Sequence, residues 1–216
     1  RRAMSFSEYV EIFGDNILYL FEQHVILFAI ALAAAIGLGV GLGTLVHRFK
    51  GLSTLIVPVV NVLQACPEIV LLALSIPLLG IGISGALIPL FVKGVLPILR
   101  NTASGFASID PRMLEAARGM GMTAWQVLLR VQIPLALPVI LAGVRLALVT
   151  TISIATITAW INAGGLGTLL FNGITRNNQS MILAGTIAIT ALALLADQVM
   201  RLAERLTAAS RARRAS

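Results

Sequence analysis

Long apolar runs alternate with short polar breaks along this chain. Val25 to Val46 is 22 residues without a charge, enough for one helical crossing of a bilayer. Gly51 to Leu79 is apolar except at Asn61, Gln64 and Glu68, and Pro58, Pro67 and Pro77 predict kinks or breaks within it. The run Gly80-Ile81-Gly82-Ile83-Ser84-Gly85 reads as a turn. A third apolar run, Ala86 to Leu99, carries Lys93 and Pro97 and is short, so the span is expected to continue through the small residues from Thr102 to Phe106. Ile133 to Ala159 is a fourth run with Arg145 inside it, and Met181 to Met200 is a fifth with Asp197 near its end. The pattern predicts an all-α integral membrane protein of about five spans, at 25–46, 52–79, 86–106, 133–159 and 181–200, within a transmembrane domain over 25–206.

The segments between the spans carry their own signals. Residues 1–24 mix Glu8, Glu11, Asp15 and Glu22 with Tyr9, Ile12, Phe13, Asn16, Ile17 and Leu20, a partly amphipathic pattern that predicts an extracytoplasmic interfacial helix. Gly37, Gly39, Gly41 and Gly43 make two overlapping small-xxx-small faces suited to close helix packing. They are no nucleotide loop, because no strand precedes them and no lysine-bearing phosphate loop is formed. Trp160 to Gln179 reads as a polar, glycine-rich connection containing Ala163-Gly164-Gly165-Leu166-Gly167, with Trp160 suited to a membrane interface. Residues 207–216 form a basic tail, and Asp197 and Arg201 stand four apart, the spacing of a helical ion pair.

Composition agrees with the pattern: 58% of the residues are hydrophobic and 12% charged, with a mean hydropathy of +0.95. The net charge of +7 does not signal nucleic acid, because the positive residues sit at the ends of apolar runs. A single cysteine, Cys66, excludes an internal disulfide and a cysteine metal cluster, and it is read as small hydrophobic packing. No cleavable signal peptide is expected, since no small-residue cleavage site follows the long first run. If the loop between spans three and four is cytoplasmic, the cytoplasmic segments hold Arg48, Lys50, Arg100, Arg112, Arg118, Arg130 and five tail arginines, 11 charges, against Arg1, Arg2 and Arg176 outside. That asymmetry predicts an N-terminus outside and a C-terminus inside.

Residues 107–132 are the one long polar segment between apolar runs. Asp110 and Pro111 are signals for a helix start, Gly119 and Gly121 for its end, and Thr123 with Gln126 is a capping-box pattern for a second helix. The pattern predicts two short helices on the membrane surface, on which something aqueous docks. The run Glu115-Ala116-Ala117, then Gly121, then Val131-x-Ile133-Pro134 resembles the EAA loop of permease subunits of bacterial ABC importers. Val131 and Ile133 stand where that pattern has Ile and Leu. The resemblance implies that the loop is a coupling helix seated in a cleft of a cytoplasmic ATPase, with Glu115, Ala116, Ala117, Gly121 and Pro134 in the coupling role. The competing reading of the residues is an amphipathic linker lying on the headgroups, with Glu115 merely pairing with Arg112 or Arg118.

The runs Gln64-Ala65-Cys66-Pro67 to Leu74, Ile76-Pro77-Leu78-Leu79-Gly80-Ile81-Gly82, Leu96-Pro97-Ile98-Leu99-Arg100-Asn101-Thr102 and Ala163-Gly164-Gly165-Leu166-Gly167 resemble osmoprotectant permeases, the importers of glycine betaine, carnitine and choline. Permeases of similar architecture carry methionine or other amino acids. The resemblance implies a type I importer: two permease subunits, identical or closely related, two ATPase subunits that bind ATP-Mg, and an extracytoplasmic substrate-binding protein. This chain has no GxxxxGK[ST] and is expected to bind no cofactor and hydrolyse no ATP itself. Position 68 departs from the family, where a small polar residue is expected and Glu68 stands here.

Three polar residues within the apolar runs are candidates for the translocation path: Glu68, Gln64 and Arg145. Glu68 follows Pro67 midway along its run, where a bend can open space near the midplane, and its carboxylate could lower the barrier for a cation. The alternative is that Glu68 pairs with Lys93 or Arg145 and only holds spans together. Arg145 likewise reads either as a structural ion pair or as part of the path. A membrane enzyme needs convergent polar groups, and Glu68, Lys93, Arg145 and Asp197 are too few and too scattered along the sequence. His24 and His47 have no ligand-spaced partners for a metal. A passive channel has no use for a docking loop.

Overall fold

The structure is a computed structural model that describes residues 5–215, with side chains described as far as residue 207. Arg1 and Arg2, part of the charge count above, lie outside the described residues. Nine α-helices follow one another among the described residues: α1 Phe6–Arg48, α2 Lys50–Ala65, α3 Glu68–Leu79, α4 Ile83–Ala107, α5 Pro111–Gly119, α6 Ala124–Val127, α7 Ile133–Ile157, α8 Gly167–Thr175 and α9 Gln179–Ala215. A π-helical turn, Leu128–Gln132, fuses α6 to α7, and a 3-10 turn, Thr158–Ile161, closes α7. Four helical stretches are long and apolar enough to cross a membrane, and α2 with α3, taken as one bent span, brings the number to five.

The helix boundaries differ from the sequence expectation in four places. Helix α1 runs for 43 residues with one kink, at Phe13, about 64 Å at 1.5 Å per residue, so the expected interfacial helix and the first span follow each other in one helical element. No proline interrupts the stretch, and Ser5 and Glu8 start it with a reciprocal capping box. The Ser5 N–H and hydroxyl hold the Glu8 carboxyl below its ordinary range. Only Phe13 leaves helical geometry, and Tyr9 and Leu20 bury into the body.

The expected second span is two helices bent by 100°. Cys66, just before Pro67, takes the extended conformation that a following proline favours. Pro58 and Pro77 remain inside α2 and α3. The connection from Trp160 to Gln179 holds an unexpected helix, α8, closed by Asn177 at positive φ. There the Asn178 N–H donates to the Gly173 carbonyl and the Asn177 N–H to the Ile174 carbonyl, so the helix ends on an αL asparagine. Finally, α9 carries on to Ala215, because nothing between Met200 and Ala215 is glycine or proline.

Helix α4 is the centre of the bundle, flanked by α1 and α7. At Gly39 an added Cβ would lie 2.7 Å from Ile98 Cβ, at Gly43 2.6 Å from Thr102 Cβ, and at Gly143 2.5 Å from Asn101 Cβ. These glycines let the backbones approach, and Ala35, Val95, Ile98, Val144 and Ala147 fill the seam between them. Of the two small-residue faces on α1, the structure uses Gly39 and Gly43; nothing lies within 4 Å of a Cβ at Gly37 or Gly41.

The loop before α8 is pinned to α1. The Gly165 N–H donates to Gln23 Oε1 at 3.1 Å. His24, fully buried, donates from Nε2 to the Ile152 carbonyl at 3.2 Å. Gly165 sits at φ +79° with an added Cβ 2.9 Å from His24 Nδ1, so both its conformation and its space exclude a side chain.

Gly43→Leu is expected to destabilise the folded chain by on the order of 1–3 kcal/mol through overpacking, while Gly41→Leu leaves it folded. Thermal unfolding of the two variants in detergent checks the contrast.

Candidate functional site

The polar segment between α4 and α7 forms the two short helices that the sequence predicts, and its ends explain why. The Asp110 carboxylate accepts the Arg112 N–H at 2.9 Å, and Pro111 occupies the first turn of α5. At the other end the Met122 N–H donates to the Ala117 carbonyl and the Gly121 N–H to the Arg118 carbonyl. This is a Schellman ending, and Gly121 holds its left-handed position at φ +79°. Thr123 and Gln126 form the expected capping box and start α6 at once.

The result is a knob of two short helices joined by a short turn. Ala117 and Val127 bury toward the bundle, while Met113, Met120 and Trp125 face outward, Met120 at 75% exposure and Trp125 at 66%. Glu115, Ala116 and Gly121 are exposed on the same element, and Pro134 is exposed in the first turn of α7. Among the described residues Glu115 enters no ion pair, so its expected alternative as a partner of Arg112 or Arg118 is not formed. Because α6, the π turn and α7 are continuous from Ala124 to Ile161, a push on the knob acts directly on a spanning helix.

The second cluster sits at the break between α2 and α3. Lys93, ten residues along α4, reaches across to it with a side chain only 5% exposed. Its ammonium donates to the carbonyls of Gln64 and Cys66, both at 2.7 Å, and lies 3.3 Å from Glu68 Oε1. The lysine thus supplies the donors that the interrupted α2 ladder has lost. Glu68 keeps 41% of its side chain exposed, and Gln64 Oε1 is buried without a hydrogen-bond partner among the described residues. Cys66, read from sequence as packing, is half-buried and matters here through its carbonyl.

Arg145 belongs to a third cluster. Its Nε donates to Asp197 Oδ1 at 2.5 Å and its guanidinium reaches Glu204 Oε2 at 3.4 Å. Arg201 closes the network on Asp197 Oδ2 at 2.9 Å, the expected four-residue pair. The three residues grouped from sequence as a path are therefore not one site: Gln64 and Glu68 share Lys93, while Arg145 ties α7 to α9. Sequence reasoning missed Lys93 as the organiser of the break. The available signal was a lysine deep in an apolar run beside a Cys-Pro interruption, a cation and free carbonyls each in need of the other.

The comparisons with known proteins can be set against this geometry. The model of the family described as binding-protein-dependent transport system inner membrane component matches residues 23–208. The chain belongs to that family. It is 43% identical over 194 residues to the osmoprotectant import permease protein OsmW of Salmonella typhimurium, covering 86% of this chain and 90% of the relative. It is 41% identical over 184 residues to the carnitine transport permease protein OpuCB of Listeria monocytogenes, covering 85% and 84%. The glycine betaine/carnitine/choline transport system permease protein OpuCB of Bacillus subtilis is 36% identical over 192 residues, with 89% and 88% covered. Among solved structures, an inward-facing MetNI methionine ABC transporter aligns with a TM-score of 0.82 at 21% identity, over 88% of this chain and 95% of that one. That likeness speaks for the fold. Family and spans together make this a multi-pass inner-membrane permease component.

Two predictions follow from the ion clusters. Lys93→Met strips two carbonyls and a carboxylate of their donor, a loss on the order of 3 kcal/mol, whereas Glu68→Gln is much milder; unfolding midpoints of the purified chain rank them. Arg145→Ala is expected to lower the amount of folded protein, and a double-mutant cycle with Asp197→Asn should show that the two losses are not additive.

Proposed function

We propose that this chain is the membrane permease of an ATP-driven importer for quaternary-amine osmoprotectants such as glycine betaine, choline or carnitine. The reading rests on relatives that bear those substrates in their names at 36–43% identity over most of their length. The likeness to methionine and amino-acid transporters is 18–21% identical and informs the fold alone.

The observation that carries the mechanism is the exposed knob of α5 and α6, rigidly joined to α7. In this reading two cytoplasmic ATPase subunits each take one such knob into a cleft, with Met120 and Trp125 as apolar anchors and Glu115 presented unpaired to the partner. ATP-Mg bound by those subunits drives their closure. The π turn and α7 carry the displacement into the bundle. A second permease subunit, identical or closely related, completes the path, and an extracytoplasmic binding protein delivers the substrate. The knob then faces the cytoplasm, which places the N-terminus outside and agrees with the 11 positive charges counted on that side.

Gly121 tests the coupling. A β-branched residue cannot hold the left-handed position without strain of about 1–2 kcal/mol, enough to re-aim α6 but not to unfold the bundle. Gly121→Val is expected to insert normally, to lose copurification of the ATPase subunit or its substrate-stimulated hydrolysis, and to abolish uptake. Uptake at the wild-type rate would sink the coupling role.

A further inference from the structure

The Glu68–Lys93 pair is asymmetric in a way that the structural role alone does not need. Lys93 is fully committed: its ammonium, on a side chain only 5% exposed, meets two carbonyls and one carboxylate. Glu68 is only partly committed. Its carboxylate takes the ammonium and its own backbone N–H, and 41% of the side chain stays open. The pair lies well inside the bilayer. Lys93 stands ten residues from the start of the 25-residue α4, about 15 Å along its axis at 1.5 Å per residue. An open carboxylate at that depth cannot face hydrocarbon without a penalty of several kcal/mol. It must face water or protein, and its buried counter-ion on the other side fixes the direction in which the negative end points. Gln64 adds an unused buried acceptor at the same break. The exposed residues that follow Glu68, Ile69 and Val70, are apolar; farther along α4, Arg100 donates to Asn61 Oδ1 on α2 at 2.7 Å.

We propose that the Glu68 carboxylate lines the water-filled path at mid-span and that Lys93, by holding and half-neutralising it, sets the preference of the transporter between cationic and zwitterionic compounds. The inference rests on the permease reading above and adds a specificity determinant to it. An organic cation meets an attractive carboxylate whose strength Lys93 limits, so it is passed on rather than trapped. A zwitterion carries its own anion, whose repulsion from Glu68 offsets most of that attraction. Removing the charge at position 68 therefore acts on a cation more than on a zwitterion.

Two measurements on the complete importer in liposomes test this. The first compares uptake of choline, a cation, with uptake of glycine betaine, a zwitterion. Glu68→Gln is expected to lower the choline-to-betaine ratio about tenfold, equivalent to ~1.4 kcal/mol. An unchanged ratio in an assembled Glu68→Gln complex overturns the proposal, and a wild-type complex that carries neither compound overturns the functional reading beneath it. The second needs no knowledge of the substrate. Cys66 is the chain's single cysteine, so Cys66→Ala provides a thiol-free background for Glu68→Cys. A membrane-impermeant quaternary-ammonium thiosulfonate is expected to label that thiol in the assembled complex and to block transport. A thiol that stays unlabelled in assembled, active complex places position 68 against lipid or a partner, and the proposal fails.

Discussion

Close approach of three backbones underlies this bundle. In lipid, apolar side chains gain little by leaving one apolar surface for another, so helices associate by packing density and by the polar groups they satisfy. Gly39 and Gly43 on α1 and Gly143 on α7 let both helices lie against α4 at distances that any Cβ would forbid. Everything else hangs on that triplet. The position of α4 places Lys93 at the α2–α3 break, and the position of α7 brings Arg145 to α9 and carries the knob of α5 and α6.

Four charged side chains in the spans, Lys93, Glu68, Arg145 and Asp197, are each met by a partner from another helix. Lys93 completes the interrupted hydrogen bonding of α2 and neutralises Glu68. Arg145 gathers Asp197 and Glu204, and Asp197 also takes Arg201. Both clusters are ties between elements far apart in sequence, and both use a cation on a central helix. They differ in exposure: the Glu68 side chain stays 41% open and the Asp197 side chain 17%. Arg145 joins two helices along their sides, whereas Glu68 presents an open oxygen beside a helix break.

The knob shows how little sequence is needed for a rigid lever. Caps at Asp110 and Thr123 and a left-handed Gly121 fix the ends of two short helices, and buried Ala117 and Val127 seat them on the bundle. Its outer face, Met113, Met120 and Trp125, is large and apolar for a segment on the aqueous side, which suits a surface that another protein covers. The π turn makes the knob continuous with α7.

Taken alone, the sequence determined what depends on local chemistry. Apolar run lengths marked the candidate crossings, caps and glycines set the knob, Pro67 marked the bend, and the Asp197–Arg201 spacing set a pair within one helix. The permease family was legible in Glu115-Ala116-Ala117 and Gly121 because those residues are constrained by a local turn. Contacts between distant elements were decided only by the tertiary structure. Whether Glu68 would meet Lys93 or Arg145 depended on which helices lie side by side. Which glycine face of α1 would be used depended on the rotation of that helix against α4. The continuity of the predicted N-terminal helix with the first span was hidden for a related reason: mixed polar sequence reads as interfacial until Tyr9 and Leu20 are seen buried. Helix α8 was hidden because its glycines signal a loop, and only packing against α9 makes the helical form worth adopting.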